Sequence, residues 1–142
     1  MKKRIISLML VICAIVSVAT MANARASLYL NSYTIGISAE GDGQISVRTL
    51  INAVHTMDRV GVVSIQIQEK NTATSSWHHF DTVLGSSDPD EFYAYDTITF
   101  LNRFYFDGCT PGRYYRAIVT AYAGDETGSD TGIATSGEIL CK

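Results

Sequence analysis

Three histidines, two cysteines near the C-terminus and two acidic loops are the side chains whose types could carry chemistry. His78 and His79 are adjacent, Asp81 follows, and His55 stands apart. In an extended strand His79 and Asp81 share one face while His78 points the other way. Neighbouring imidazoles so arranged do not easily reach one zinc ion, and no further ligand stands at a zinc-site spacing. The sequence therefore predicts no metal and no other cofactor. His79 with Asp81 is the one acid–base pair a small hydrolase could use, against the plainer reading of strand-edge histidines. Asp88-Pro89-Asp90-Glu91 and Asp125-Glu126 with Asp130 offer carboxylates in turns. Calcium takes about six to eight oxygens, and neither loop has the spacing of an EF-hand or a repeat-in-toxin site. There is no Gly-x-Ser-x-Gly elbow, phosphate-binding glycine loop or Ser-x-x-Lys motif. No catalytic residue is assigned.

Aromatic residues are the more suggestive group. Eight Tyr, five Phe and one Trp fall in the chain, seven of them in Phe92-Tyr93-x-Tyr95 and Phe100-x-x-x-Phe104-Tyr105-Phe106. Strand alternation sends Phe100, Phe104 and Phe106 to one face and Tyr105 to the other. Tyr114 and Tyr122 lie on the outward side of their own strand by the same rule. Tyr93, Tyr95, Tyr105, Tyr114 and Tyr122 are thus the candidate binding residues. Exposed rings can stack on sugars or anchor a protein partner. A core of this size also needs aromatics, which is the competing reading.

These residues need a scaffold, and its order along the chain is readable. Lys2, Lys3 and Arg4 precede an apolar run from Ile5 to Ala19, and small residues end at Ala22-Asn23-Ala24-Arg25-Ala26. That is the pattern of a secretory signal, cleaved after Ala24 or, preferably, after Ala26. Its apolar run is shorter than the roughly 20 residues of a spanning helix. This division gives a signal peptide at 1–26 and a single folded domain at 27–142. The folded part has 116 residues, with seven cations against fourteen acids, a net charge of −7. Such a charge disfavours nucleic acid and anionic membrane as partners. The oligomeric state is open.

From Tyr33 onward the chain alternates like strands. Tyr33–Ser38, Ile45–Ala53 and Val63–Ile67 have a period of two, with Glu40–Gly43 and His55–Gly61 as interruptions. Trp77–Leu84, Phe92–Phe106, Arg113–Tyr122 and Ile133–Leu140 follow, the last two flanking a Gly124–Gly132 turn region. No segment has a helical stripe. The fold class is all-β, an antiparallel two-sheet sandwich of about seven strands, with a small barrel as the alternative. Cys109 and Cys141 can pair in an exported protein. A hairpin centred near Gly128 sets Cys141 opposite about position 115, so a bridge requires the chain before Arg113 to fold back; otherwise the two are isolated thiols. Closing that loop would add roughly 3 kcal/mol.

Tyr115-x-Ala117-x-Val119-x-Ala121, then Tyr122-Ala123-Gly124 and a Gly/Ser turn, resembles the penultimate strand of fibronectin type III domains, and Thr110-Pro111-Gly112 resembles the turn into it. The resemblance implies an immunoglobulin-like sandwich, with Tyr115 capping the core and its hydroxyl reaching backbone. The signal, the single domain, Thr56-Met57-Asp58 and Pro111-Gly112-Arg113-Tyr114-Tyr115-Arg116 are also similar to small exported proteins of Gram-positive bacteria without assigned activity. That similarity implies location and architecture only. The expectation is a secreted, non-enzymatic module, extracellular or envelope-associated, that binds a protein or glycan surface partner. The alternatives are a small secreted hydrolase and a structural envelope component with no discrete ligand.

Overall fold

A computed structural model describes residues 27–142; the expected signal peptide lies outside the described residues. The elements are β1 (Leu30–Gly41), β2 (Gln44–Lys70), β3 (His78–Leu84), the one-turn helix α1 (Pro89–Phe92), β4 (Tyr93–Asp107), β5 (Tyr114–Asp125), β6 (Gly128–Thr135) and β7 (Ile139–Leu140). All pairings are antiparallel, and the seven strands form one hydrogen-bonded sheet. β2 is its hub. One of its edges pairs first with β1 and then with β5; the other pairs with β4 and then β3.

The His55–Gly61 segment is not a break between two strands. It lies inside the 27-residue β2. Buried hydrophobic side chains in β2 fall on odd numbers from Ile45 to Met57, on even numbers at Val60 and Val62, and on odd numbers again at Ile65 and Ile67. The register slips alongside, between Asn52 and Met57 against β4 and between Val62 and Ser64 against β5. The slip between Val62 and Ser64 coincides with the second switch of the inward side, and a strict two-residue period loses the strand. The core that results joins these β2 side chains to Phe100, Phe104 and Phe106 of β4 and to Tyr115, Ala117, Val119, Ala121 and Ala123 of β5. Each fully buried aliphatic chain contributes about 1.5–3 kcal/mol.

The glycine-rich Gly124–Gly132 region is likewise mostly strand. Asp125 pairs with Gly128, leaving a two-residue turn, and β6 runs on through Gly132. The rings of Tyr29 and Tyr33, the latter in β1, occupy the space a side chain would take at Gly128 and Gly132. Glycine here serves close packing rather than a loop. β1 and β6 end the hydrogen-bonded path and also touch one another.

Cys109 and Cys141 are bonded, with Cα atoms 6.2 Å apart and a sequence separation of 32. The required fold-back is the turn Thr110-Pro111-Gly112-Arg113, closed by the Arg113 N–H donating to the Thr110 carbonyl at 3.1 Å. Pro at the second position and Gly112 at φ +85° suit a type II turn. Leu140 pairs with Tyr114, and the Cys141 N–H donates to the Arg113 carbonyl. Cys141 therefore lies opposite 113 rather than 115. Tyr115 is fully buried. Its hydroxyl accepts from the Thr110 N–H and donates to Glu69 Oε2, both at 2.9 Å. Burial pushes its pKa up, and Glu69 adds to the rise.

Candidate functional site: a stacked aromatic and guanidinium face

The second half of β2 carries the side chains that converge. Its outward positions Arg59, Gly61, Ser64, Gln66, Gln68 and Lys70 stand opposite Gly124, Tyr122, Thr120, Ile118, Arg116 and Tyr114 of β5. On the other edge, Arg59 and Gly61 face Tyr95 and Tyr93 of β4, while Gln68 faces His79 of β3. Four of the five candidate tyrosines (Tyr93, Tyr95, Tyr114 and Tyr122) therefore share one face. Tyr105 does not join them. It lies ten residues further along β4, roughly 30 Å of extended chain, opposite Ser46, and is 57% exposed. Between the two positions Asp96 takes φ +50°, and the register of β4 against β2 shifts.

At one end of this face the Arg59 guanidinium lies 4.6 Å from the centre of the Tyr93 ring and 4.7 Å from that of Tyr122. The two rings meet edge to face at 6.1 Å. Gly61 makes this possible: a Cβ there would collide with the Phe92 carbonyl and with Tyr93. A hydrogen bond with Tyr122 raises the Arg59 pKa further above its already high ordinary value. Burial raises that of Tyr93, with Arg59 opposing the rise. Tyr95, beside them, is 52% exposed. At the other end Trp77 receives two cations, the Arg116 guanidinium at 4.4 Å and Lys70 Nζ at 4.6 Å from its centre. Lys70 Nζ also lies 5.4 Å from the Tyr114 ring. It donates to Glu138 Oε2 at 2.7 Å and to the Ala73 carbonyl at 2.9 Å, which satisfies a buried ammonium. Arg116 Nε donates to Gln68 Oε1 at 2.8 Å.

Arg59, Arg116 and Trp77 were not among the expected binding residues. Alternation already put Arg116 between Tyr114 and Ile118 on the outward side. Arg59 was hidden by the apparent break in β2. Trp77 precedes β3, and only the pairing of β3 with β2 brings it to Arg116.

The remaining sequence candidates are placed otherwise. A bulge at Phe80 makes His79 pair with Gln68 and Asp81 with Ile67, so the two do not share a face as plain alternation predicts. The extra residue lets Phe80 pack edge to face on Tyr115 at 5.2 Å. His79 Nε2 lies 2.9 Å from Thr82 Oγ1, and Asp81 Oδ1 accepts from the Thr82 N–H. His55 contacts Asp125 at 3.2 Å. Asp125 also accepts from the Thr127 hydroxyl and N–H, and these bonds, the hydroxyl first, lower its pKa. Asp88 caps α1 by accepting from the Glu91 N–H. Both acidic loops thus use carboxylates in local turns. Among the described residues no group of three or more His, Cys, Asp or Glu is placed to hold a metal.

No protein-family model and no curated protein matches this chain. The functional reading therefore rests on the geometry.

Proposed function

We propose that this chain is an exported, non-enzymatic binding module whose seven strands fold as a two-layer sandwich of immunoglobulin-like or fibronectin type III-like kind, acting outside the cytoplasm after loss of residues 1–26. The outer face of β3, the start of β4, β2, β5 and β6 takes a protein surface partner. The observation that carries this reading is the convergence of Tyr93, Tyr95, Tyr114, Tyr122 and Trp77 with Arg59 and Arg116 on that face. Tyr, Trp and Arg are the residue types that dominate interface hot spots. Here cation stacking holds most of the rings in place, so little side-chain freedom remains to be lost on association. A disulfide between Cys109 and Cys141 suits an oxidising compartment.

Protein is favoured over glycan by one detail. Sugar stacking needs open ring faces, and Tyr93, Tyr122 and Trp77 already carry cations. The test is capture from a cell-surface extract by the processed chain, compared with Tyr95→Ser and with Tyr105→Ser. The expected result is one reproducible partner lost with Tyr95→Ser and retained with Tyr105→Ser. Equal loss in both, or binding confined to a glycan array, would overturn the reading.

A further inference from the structure

The candidate face differs from the rest of the domain in charge. Register places no Asp or Glu on it, from the Arg59, Tyr95 and Gly124 row at one end to the Lys70 and Tyr114 row at the other. The chain has fourteen acids, all within the described residues. The face thus presents Arg59 and Arg116 with no carboxylate among its outward positions, on a domain with fourteen acids against seven cations. Glu138 reaches one corner, where Lys70 binds it. The guanidiniums of Arg59 and Arg116 make no ion pair with any carboxylate among the described residues, unlike those of Arg103 and Arg113. Each is instead held by aromatic rings, which attract a cation without neutralising it. That leaves donors of a planar fork suited to bidentate carboxylate recognition. Six residues separate Arg116 from Tyr122, the ring beneath Arg59, so the forks stand roughly 20 Å apart along the strand.

We propose that the partner presents an acidic polypeptide segment, whose carboxylates engage Arg59 and Arg116 while its apolar side chains cover Tyr95 and Ile118 between and beside them. This rests on the binding-face reading above and adds the chemistry of the occupant. The stacked rings fix the orientation of both guanidiniums, so an extended acidic segment meets two preset anchors rather than two mobile chains.

The experiment is selection of a displayed random-peptide library on the processed, disulfide-intact chain, followed by anisotropy titration of the recovered peptides. The expected pool is enriched in Asp and Glu. Arg59→Gln and Arg116→Gln each weaken binding about tenfold, as loss of a charge-assisted hydrogen bond would. Arg48→Gln, on the other half of β2, leaves it unchanged, and added salt weakens the wild type. Arg59→Lys keeps the charge and guards against misfolding at the Tyr93–Tyr122 stack; intermediate weakening supports the fork. A neutral or basic pool that still depends on Tyr95 overturns the carboxylate proposal while the binding face stands. Dextran sulfate binding through the same arginines more tightly than any peptide overturns the choice of a polypeptide. Peptides indifferent to Tyr95, Arg59 and Arg116 alike overturn both proposals.

Discussion

Tyr115 shows what one side chain decides. Its ring fills the core while its hydroxyl joins the Thr110 backbone to Glu69, and Arg113 binds the other oxygen of that carboxylate at 3.2 Å. Tyr115→Phe keeps the ring and removes the hydroxyl, leaving a buried N–H and a carboxylate short of a partner. The expected loss is about 1–3 kcal/mol in denaturant unfolding. Because the folded state raises the Tyr115 pKa, the protonated form is the one that folding favours. That stabilisation is complete below the ordinary tyrosine range and is lost as pH rises through the raised value. An alkaline titration of stability should therefore fall less steeply in Tyr115→Phe than in the wild type. Asp125 has the opposite sign. Its pKa is lowered by Thr127, so its contribution is present above the ordinary carboxylate range and disappears as pH falls through the depressed value. Thr127→Val should flatten the acid limb of the same profile.

At the scale of elements, β2 depends on glycine where other strands cross it closely. A Cβ at Gly61 would meet the Phe92 carbonyl, and one at Gly85 would meet the Val62 carbonyl. Backbone cannot yield as a side-chain tip can, so Gly61→Ala is expected to cost roughly 2–3 kcal/mol and to disturb the near-ultraviolet signal of the Tyr93–Tyr122 stack. At Gly132 the nearest atoms to an added Cβ belong to the Tyr33 ring. Gly132→Ala should be milder, because a partly exposed ring can swing aside. The same elements explain why Gly61 matters to the proposed face: it is the gap through which Tyr93 reaches Tyr122 and Arg59.

For the whole molecule, the Cys109–Cys141 bond ties the final strand and the turn before β5 into one body. A cross-link spanning 32 residues restricts the unfolded chain, and its removal by paired Ser substitution should lower stability by about 3–4 kcal/mol. Thermal unfolding with and without reductant measures this. The wild-type midpoint should drop on reduction, and that of the Cys109→Ser/Cys141→Ser variant should not. If the chain is exported as proposed, mass spectrometry of the processed form will find Ser27 at its N-terminus.

Patterning along the chain was enough to establish strands, a shared face for Phe100, Phe104 and Phe106 with Tyr105 on the other, and an outward Arg116, because alternation is a local consequence of extended geometry; a Tyr115 that caps the core and touches backbone came from the likeness to fibronectin type III domains. Which strands share an edge of β2 could not be read this way. Neither could the continuity of β2 through Arg59, the bulge that parts His79 from Asp81, or the separation of Tyr105 from the other four tyrosines. Those outcomes depend on register slips and on contacts between segments tens of residues apart, where the winning arrangement is set by what packs rather than by any neighbour in sequence. The Arg59 stack is the clearest case: its three members come from β2, β4 and β5, and only their pairing makes them one group.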